Sequence, residues 1–132
     1  MKIIKNSINK PIKFKIKVKL FLSNILVFVG EKDCFLQYIR HKIKKDSLYN
    51  EVEKSIDNYA GLAIEVHSGL YILYMNKKPK KAYHKSILAH EIFHITSYIM
   101  SRIDLKLSND NEEVYAYLNG FITREFYKKI NK

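Results

Sequence analysis

Two rhythms of apolar residues run along the chain, and each change of rhythm marks a new element. From Ile12 to Leu20 every second residue is apolar, with Lys13, Lys15, Lys17 and Lys19 between. Strand side chains point to opposite faces in turn, so this segment is expected to be a half-buried strand with its lysines in water. Leu26 to Val29 is a short apolar run closed by Gly30, the mark of a buried strand. Gly61 to Val66 and Leu70 to Met75 read as two more strands around the turn His67-Ser68-Gly69. Helical spacing holds elsewhere. It carries Phe35, Ile39 and Ile43 between Glu31 and Lys45, then Leu48, Val52 and Ile56 between Asp46 and Tyr59. Ser86 to Met100 reads as one buried helix, and another follows the polar stretch Ser108-Asn109-Asp110-Asn111.

These elements sum to one domain over residues 1–132, of class α+β. The expected architecture is a small, mainly antiparallel sheet packed beside the long apolar helix and the helix after it, with one or two helices before them. At 132 residues the chain can bury a modest core without staples. Its single cysteine, Cys34, makes no intramolecular disulfide, fits a reducing compartment, and reads as a buried structural thiol.

The chemistry is concentrated at His90-Glu91-Ile92-Phe93-His94, a HExxH pentapeptide inside the long helix. Residues four apart share a helix face, so both imidazoles point the same way and can hold one Zn²⁺. Glu91 is turned about 100° from His90 and lies beside the metal, where a general base for a zinc-bound water belongs. A third ligand must come from elsewhere. No histidine follows His94, and Ser97 and Met100 stand where the Gly and last His of HExxHxxGxxH would be. Of the later carboxylates, Glu113 is best placed, with 18 residues between it and His94. Glu113, Ala116, Tyr117 and Gly120 share a face, and the small Ala116 and Gly120 are expected to let the two helices approach closely. Glu112 is the alternative. Asp110 with Glu113 resembles a capping box, and Asn109 with Glu112 offers a similar cap, so one glutamate caps while the other ligates.

HExxH, the 18-residue gap and then Glu113-Val114-Tyr115-Ala116 resemble the gluzincin metallopeptidases. Within that group the helix Glu112-Glu113-Val114-Tyr115-Ala116-Tyr117-Leu118 is most similar to that of small stand-alone zinc peptidase-like proteins of phages and mobile elements. The resemblance spans about residues 60 to 127. It implies a minimal zincin-like fold, zinc ligands His90, His94 and Glu113, and Glu91 as catalytic base. It also implies a zinc-dependent peptidase acting on a peptide or protein substrate, in the cytoplasm, or in the virion or host cytoplasm if phage-encoded. By fold-level analogy, the edge strand before the zinc helix binds extended substrate by backbone pairing. Tyr98, Tyr115, Tyr117 and His84 are candidate oxyanion partners, while His41 and His67 read as exposed imidazoles.

Net charge is +11, but Lys supplies nearly all the excess and only three residues are Arg. Arginine is favoured for bidentate phosphate and base contacts, so the charge reads as a solvated lysine surface, with nucleic acid the disfavoured partner. The apolar run Phe21 to Val29 is too short to span a bilayer, is interrupted by Asn24 and has no A-x-A site after it, so neither membrane nor export is expected. Two rival functions stand beside the peptidase. One is a non-catalytic structural or interaction protein that keeps zinc as a folding staple, for which a base at Glu91 has no use. The other is a basic nucleic-acid-associated protein.

Overall fold

The computed structural model describes residues 10–132. Its strands are β1 (Ile12–Val18), β2 (Ser23–Val29), β3 (Gly61–His67) and β4 (Leu70–Met75). Its α-helices are α1 (Lys32–Tyr38), α2 (Asp46–Ser55), α3 (Ala82–Arg102) and α4 (Glu112–Ile130). A π-helical turn, Ile39–Ile43, prolongs α1, and 3₁₀ turns occupy Lys19–Phe21 and Ile56–Asn58. The class is α+β, as expected, but the sheet is mixed. Its order is β1-β2-β4-β3: the two outer pairs are antiparallel and the central pair, β2 with β4, is parallel.

The parallel seam explains why β2 begins three residues before the expected Leu26. Lying between β1 and β4, it has backbone partners on both sides, and the ladder carries Ser23 and Asn24 into the strand despite their polarity. The β3–β4 turn is tight. Gly69 holds φ 91°, a left-handed conformation that a Cβ would strain.

Both faces of the central strands are covered, while the lysine face of β1 stays exposed. Tyr71, Leu73 and Met75 of β4 join Ile16, Val18, Ile25 and Val27 under α3 and α4. Ile72 and Tyr74 point the other way, into a second core with Phe28, Phe35, Ile39, Val52 and Ile56 beneath α1 and α2. A strand buried on both faces needs an unbroken apolar run, and Leu70-Tyr71-Ile72-Leu73-Tyr74-Met75 is one. The helices facing β1 and β2 supply Phe126, which meets Phe14 edge-on at 5.7 Å between ring centres.

Helix α3 exists because Leu88, Ile92, Ile95 and Ile99 recur at helical spacing and are all buried. It ends at Arg102, where Asp104 turns left-handed at φ 58° and the Leu105 N–H donates back to the Met100 carbonyl at 2.9 Å. Arg102 then reaches the β1–β2 turn. Its guanidinium donates to the carbonyls of Phe21 (2.6 Å) and Leu22 (3.1 Å) and to Ser68 Oγ (2.9 Å). Leu22 is left-handed at φ 49° and exposed.

The buried stripe of α4 is Tyr115, Leu118, Ile122, Phe126 and Ile130. The face carrying Glu113 is a different one. Ala116 and Tyr117 are exposed, and a Cβ added at Gly120 would meet nothing within 4 Å. The close helix approach expected through Ala116 and Gly120 is therefore absent; both lie toward solvent. α3 and α4 meet instead along their buried stripes, and across them the Thr96 hydroxyl donates to Asn119 Oδ1 at 2.9 Å. Neither expected cap forms. Asn111 occupies the N-cap position without a side-chain capping bond, and its amide donates to the Lys106 carbonyl at 3.0 Å.

Candidate metal centre

Helical spacing places His90 and His94 one turn apart on the outer side of α3, opposite the Leu88–Ile92–Ile95–Ile99 stripe. Their Nε2 atoms converge to 3.1 Å, with the rings 4.7 Å apart and nearly perpendicular. Two nitrogens this close either share one proton or face one cation. Ligands held tetrahedrally at 2.0–2.1 Å from zinc stand roughly 3.3 Å apart, so the pair fits two zinc positions. The His90 side chain is 66% exposed, so its ring is open to solvent.

Glu91 is buried, and its Oε2 lies 3.9 Å from His90 Nε2. Burial pushes its carboxyl above the usual carboxylate range, opposed by His90 and by a backbone hydrogen bond from Ala63 of β3. Such a group holds its proton more firmly than an exposed glutamate and is suited to taking one up and returning it. Gly61 makes the fit possible: a Cβ there would stand 2.9 Å from Ile87 Cγ2 and 3.2 Å from Glu91 Cγ.

A cavity of about 310 Å³ opens beside this group, bordered by Tyr59, Ala60, Gly61, Tyr83, His90 and Glu91. β3 is the outer strand of the sheet at this side. Of the expected oxyanion partners, none borders the cavity. Tyr115 donates to the Leu105 carbonyl at 2.7 Å, and Tyr98 stacks on Tyr71 and reaches the Ala63 carbonyl at 3.4 Å. Tyr117 borders another cleft, with Leu20 and Phe21, and His84 meets Tyr83 edge-on. The tyrosines that do border the cavity are Tyr59 and Tyr83, both exposed. Tyr83 carried a usable signal, since it precedes His90 by seven residues and so shares its helix face. Tyr59 carried none, because it arrives from the end of the α2 segment.

Among the described residues no three His, Cys, Asp or Glu side chains gather closely enough to hold a metal ion. His90 and His94 are brought together with Glu91 beside them; Glu113 and Glu112, both exposed in the first turn of α4, do not join them in such a group. Neither glutamate forms an ion pair among the described residues. His67 contacts only the neighbouring Ser68 carbonyl, and His41 only Gln37, among the side-chain hydrogen bonds of the described residues.

Compared with known proteins, the chain matches no family model, no curated protein and no solved structure. No helix among the described residues is long and apolar enough to cross a membrane.

Proposed function

We propose that the protein is a zinc-dependent hydrolase acting on peptide bonds. The observation that carries this reading is the convergence of His90 and His94 to 3.1 Å on an open helix face with the buried Glu91 carboxylate beside them. A purely structural site gains nothing from a proton-accepting group at that position. His90 and His94 would hold the ion, with Glu113 as third ligand on its spacing from His94 and the likeness of its helix to the gluzincin pattern. Zinc, when bound, supplies Lewis acidity that activates a water and polarises a carbonyl.

The chain's own groups define the remaining tasks. Glu91 takes the proton and returns it to the leaving amine, a role supported by its carboxylate lying beside the His90 ring and its side chain against Gly61 of β3. Gly61, where β3 begins at the outer side of the sheet, borders the cavity and is where an extended peptide would pair. Tyr59 and Tyr83 are the hydroxyls at hand for a developing oxyanion.

Metal content and turnover test this together. Protein purified without a metal-affinity tag should carry close to one zinc per chain, and His90→Ala and His94→Ala should each lose it. Glu91→Gln should keep the zinc and lose hydrolysis of a quenched random-peptide pool. Full zinc retention in both histidine variants would overturn the site, and wild-type turnover in Glu91→Gln would overturn the mechanism.

A further inference from the structure

Lys13 and Lys15 of β1 line a groove on the face of the sheet opposite α3 and α4. Lys13 and Lys15 stand directly across from Phe28 and Leu26 of β2, so a charged row borders an apolar one. The far wall comes from α1 and its π-helical extension, with Cys34, Tyr38, His41 and Lys42. Together they enclose an open cavity of about 780 Å³ whose border includes Lys13, Lys15, His41 and Lys42 and no acidic residue. Among the described residues neither Lys13, Lys15 nor Lys42 forms an ion pair.

We infer that this groove binds single-stranded nucleic acid. Lys13 and Lys15 stand on one strand face about 6.7 Å apart, twice the rise per residue, which is the scale of the step between successive phosphates. The floor beside them is apolar and aromatic, with Leu26 and Tyr38 half-buried and open to the groove. A nucleotide brings a charge and a flat apolar base at every step, matching both rows at once. An acidic peptide dense enough to meet each lysine has no apolar group left for the floor, and a duplex keeps its bases stacked inside. Lysine is adequate for this task, because tracking a backbone needs point charges rather than the bidentate fork of arginine. Gln37 and His41, hydrogen-bonded to each other at 3.1 Å, add polar groups on the far wall. The π-helical turn that presents His41 and Lys42 is a rare geometry that concentrates at functional sites. The groove stands independently of the histidine pair.

The test uses the full chain and a dye-labelled oligothymidylate of about twelve nucleotides, within the usual range for one such groove. Lys13→Gln/Lys15→Gln should weaken binding at least tenfold. It should also flatten the plot of log affinity against log salt by about 1.4, at roughly 0.7 per lost phosphate contact. Lys85→Gln/Lys106→Gln, which removes the same charge from the α3 side, should bind within twofold of the wild type. Equal loss in both double variants, tighter binding of a duplex of the same length, displacement by poly-glutamate at equal charge, or no binding at low salt would each overturn the proposal.

Discussion

Gly61 and Glu91 are in direct contact, and the absence of a side chain on the first lets the second lie against the sheet. A Cβ at position 61 would stand 2.9 Å from Met75 Sδ and Ile87 Cγ2 and 3.2 Å from Glu91 Cγ, so these side chains would have to shift. Gly61→Val is expected to cost about 1–3 kcal/mol through overpacking. Peptide turnover should fall further than this loss explains, because the Glu91 side chain is displaced directly. Thermal melts and initial rates on the same preparation measure both; unchanged turnover would show that Glu91 needs no such placement.

The two adjacent glutamates of α4 are separable, because neighbours on a helix point about 100° apart. Glu113→Gln is expected to weaken zinc binding by roughly tenfold or more, and Glu112→Gln to leave it nearly intact. Competition with a chelator reads both. The opposite pattern would make Glu112 the ligand.

Leu22 pairs a left-handed backbone at φ 49° with a side chain 77% exposed, so it bears strain without packing gain. Leu22→Gly should therefore stabilise the protein by about 1 kcal/mol in urea unfolding. Arg102→Ala should destabilise it by about 1–2 kcal/mol, since it strands the Phe21 and Leu22 carbonyls that the guanidinium now engages. If both variants match the wild type, the turn is not held from the end of α3.

Burial pushes the Tyr74 phenol up to about 12, while its hydroxyl donates to the Gly30 carbonyl at 3.0 Å. A group whose folded pKa is raised contributes stability that is whole below its unfolded pKa, near 10, and is lost as pH rises toward 12. Tyr74→Phe should cost about 1 kcal/mol at neutral pH, for the lost hydrogen bond, and flatten the decline between pH 10 and 12. Denaturant midpoints across that window give the comparison; equal slopes would exclude Tyr74 as a source of alkaline unfolding.

Gly120 has open space around it, so Gly120→Ala should stabilise α4 by about 0.5–1 kcal/mol through helix propensity alone. A loss of zinc or stability in this variant would show a helix contact there after all.

Where the sequence was legible, one local period decided the matter. The lysine alternation marked β1, and the four-residue spacing of His90 and His94 was enough to bring their Nε2 atoms together, because a single helix carries both. Partners from different segments were harder to read. The parallel pairing of Val27 with Leu73 joins residues 46 apart and leaves no local trace. Ala116 and Gly120 misled because small residues suit a helix contact and a solvent face equally well. Asn111 took the place expected of Asp110 or Asn109 because its amide finds the Lys106 carbonyl, a bond created by the path of the preceding loop. The lysines of β1 looked merely solvated until α1 and the π-helical turn supplied the other wall.

The mixed pairing of the sheet also sets an order of assembly. β1 with β2, and β3 with β4, are antiparallel neighbours in sequence, each able to close over a short turn. The seam between β2 and β4 joins them across the whole α1–α2 crossover, so pairing there closes a far longer loop than either hairpin does. Folding therefore has two fast local events and one slow distant one. Cavity-making substitutions at the seam, such as Val27→Ala or Leu73→Ala, should retard refolding far more than equal losses at the outer ends of β1 or β3.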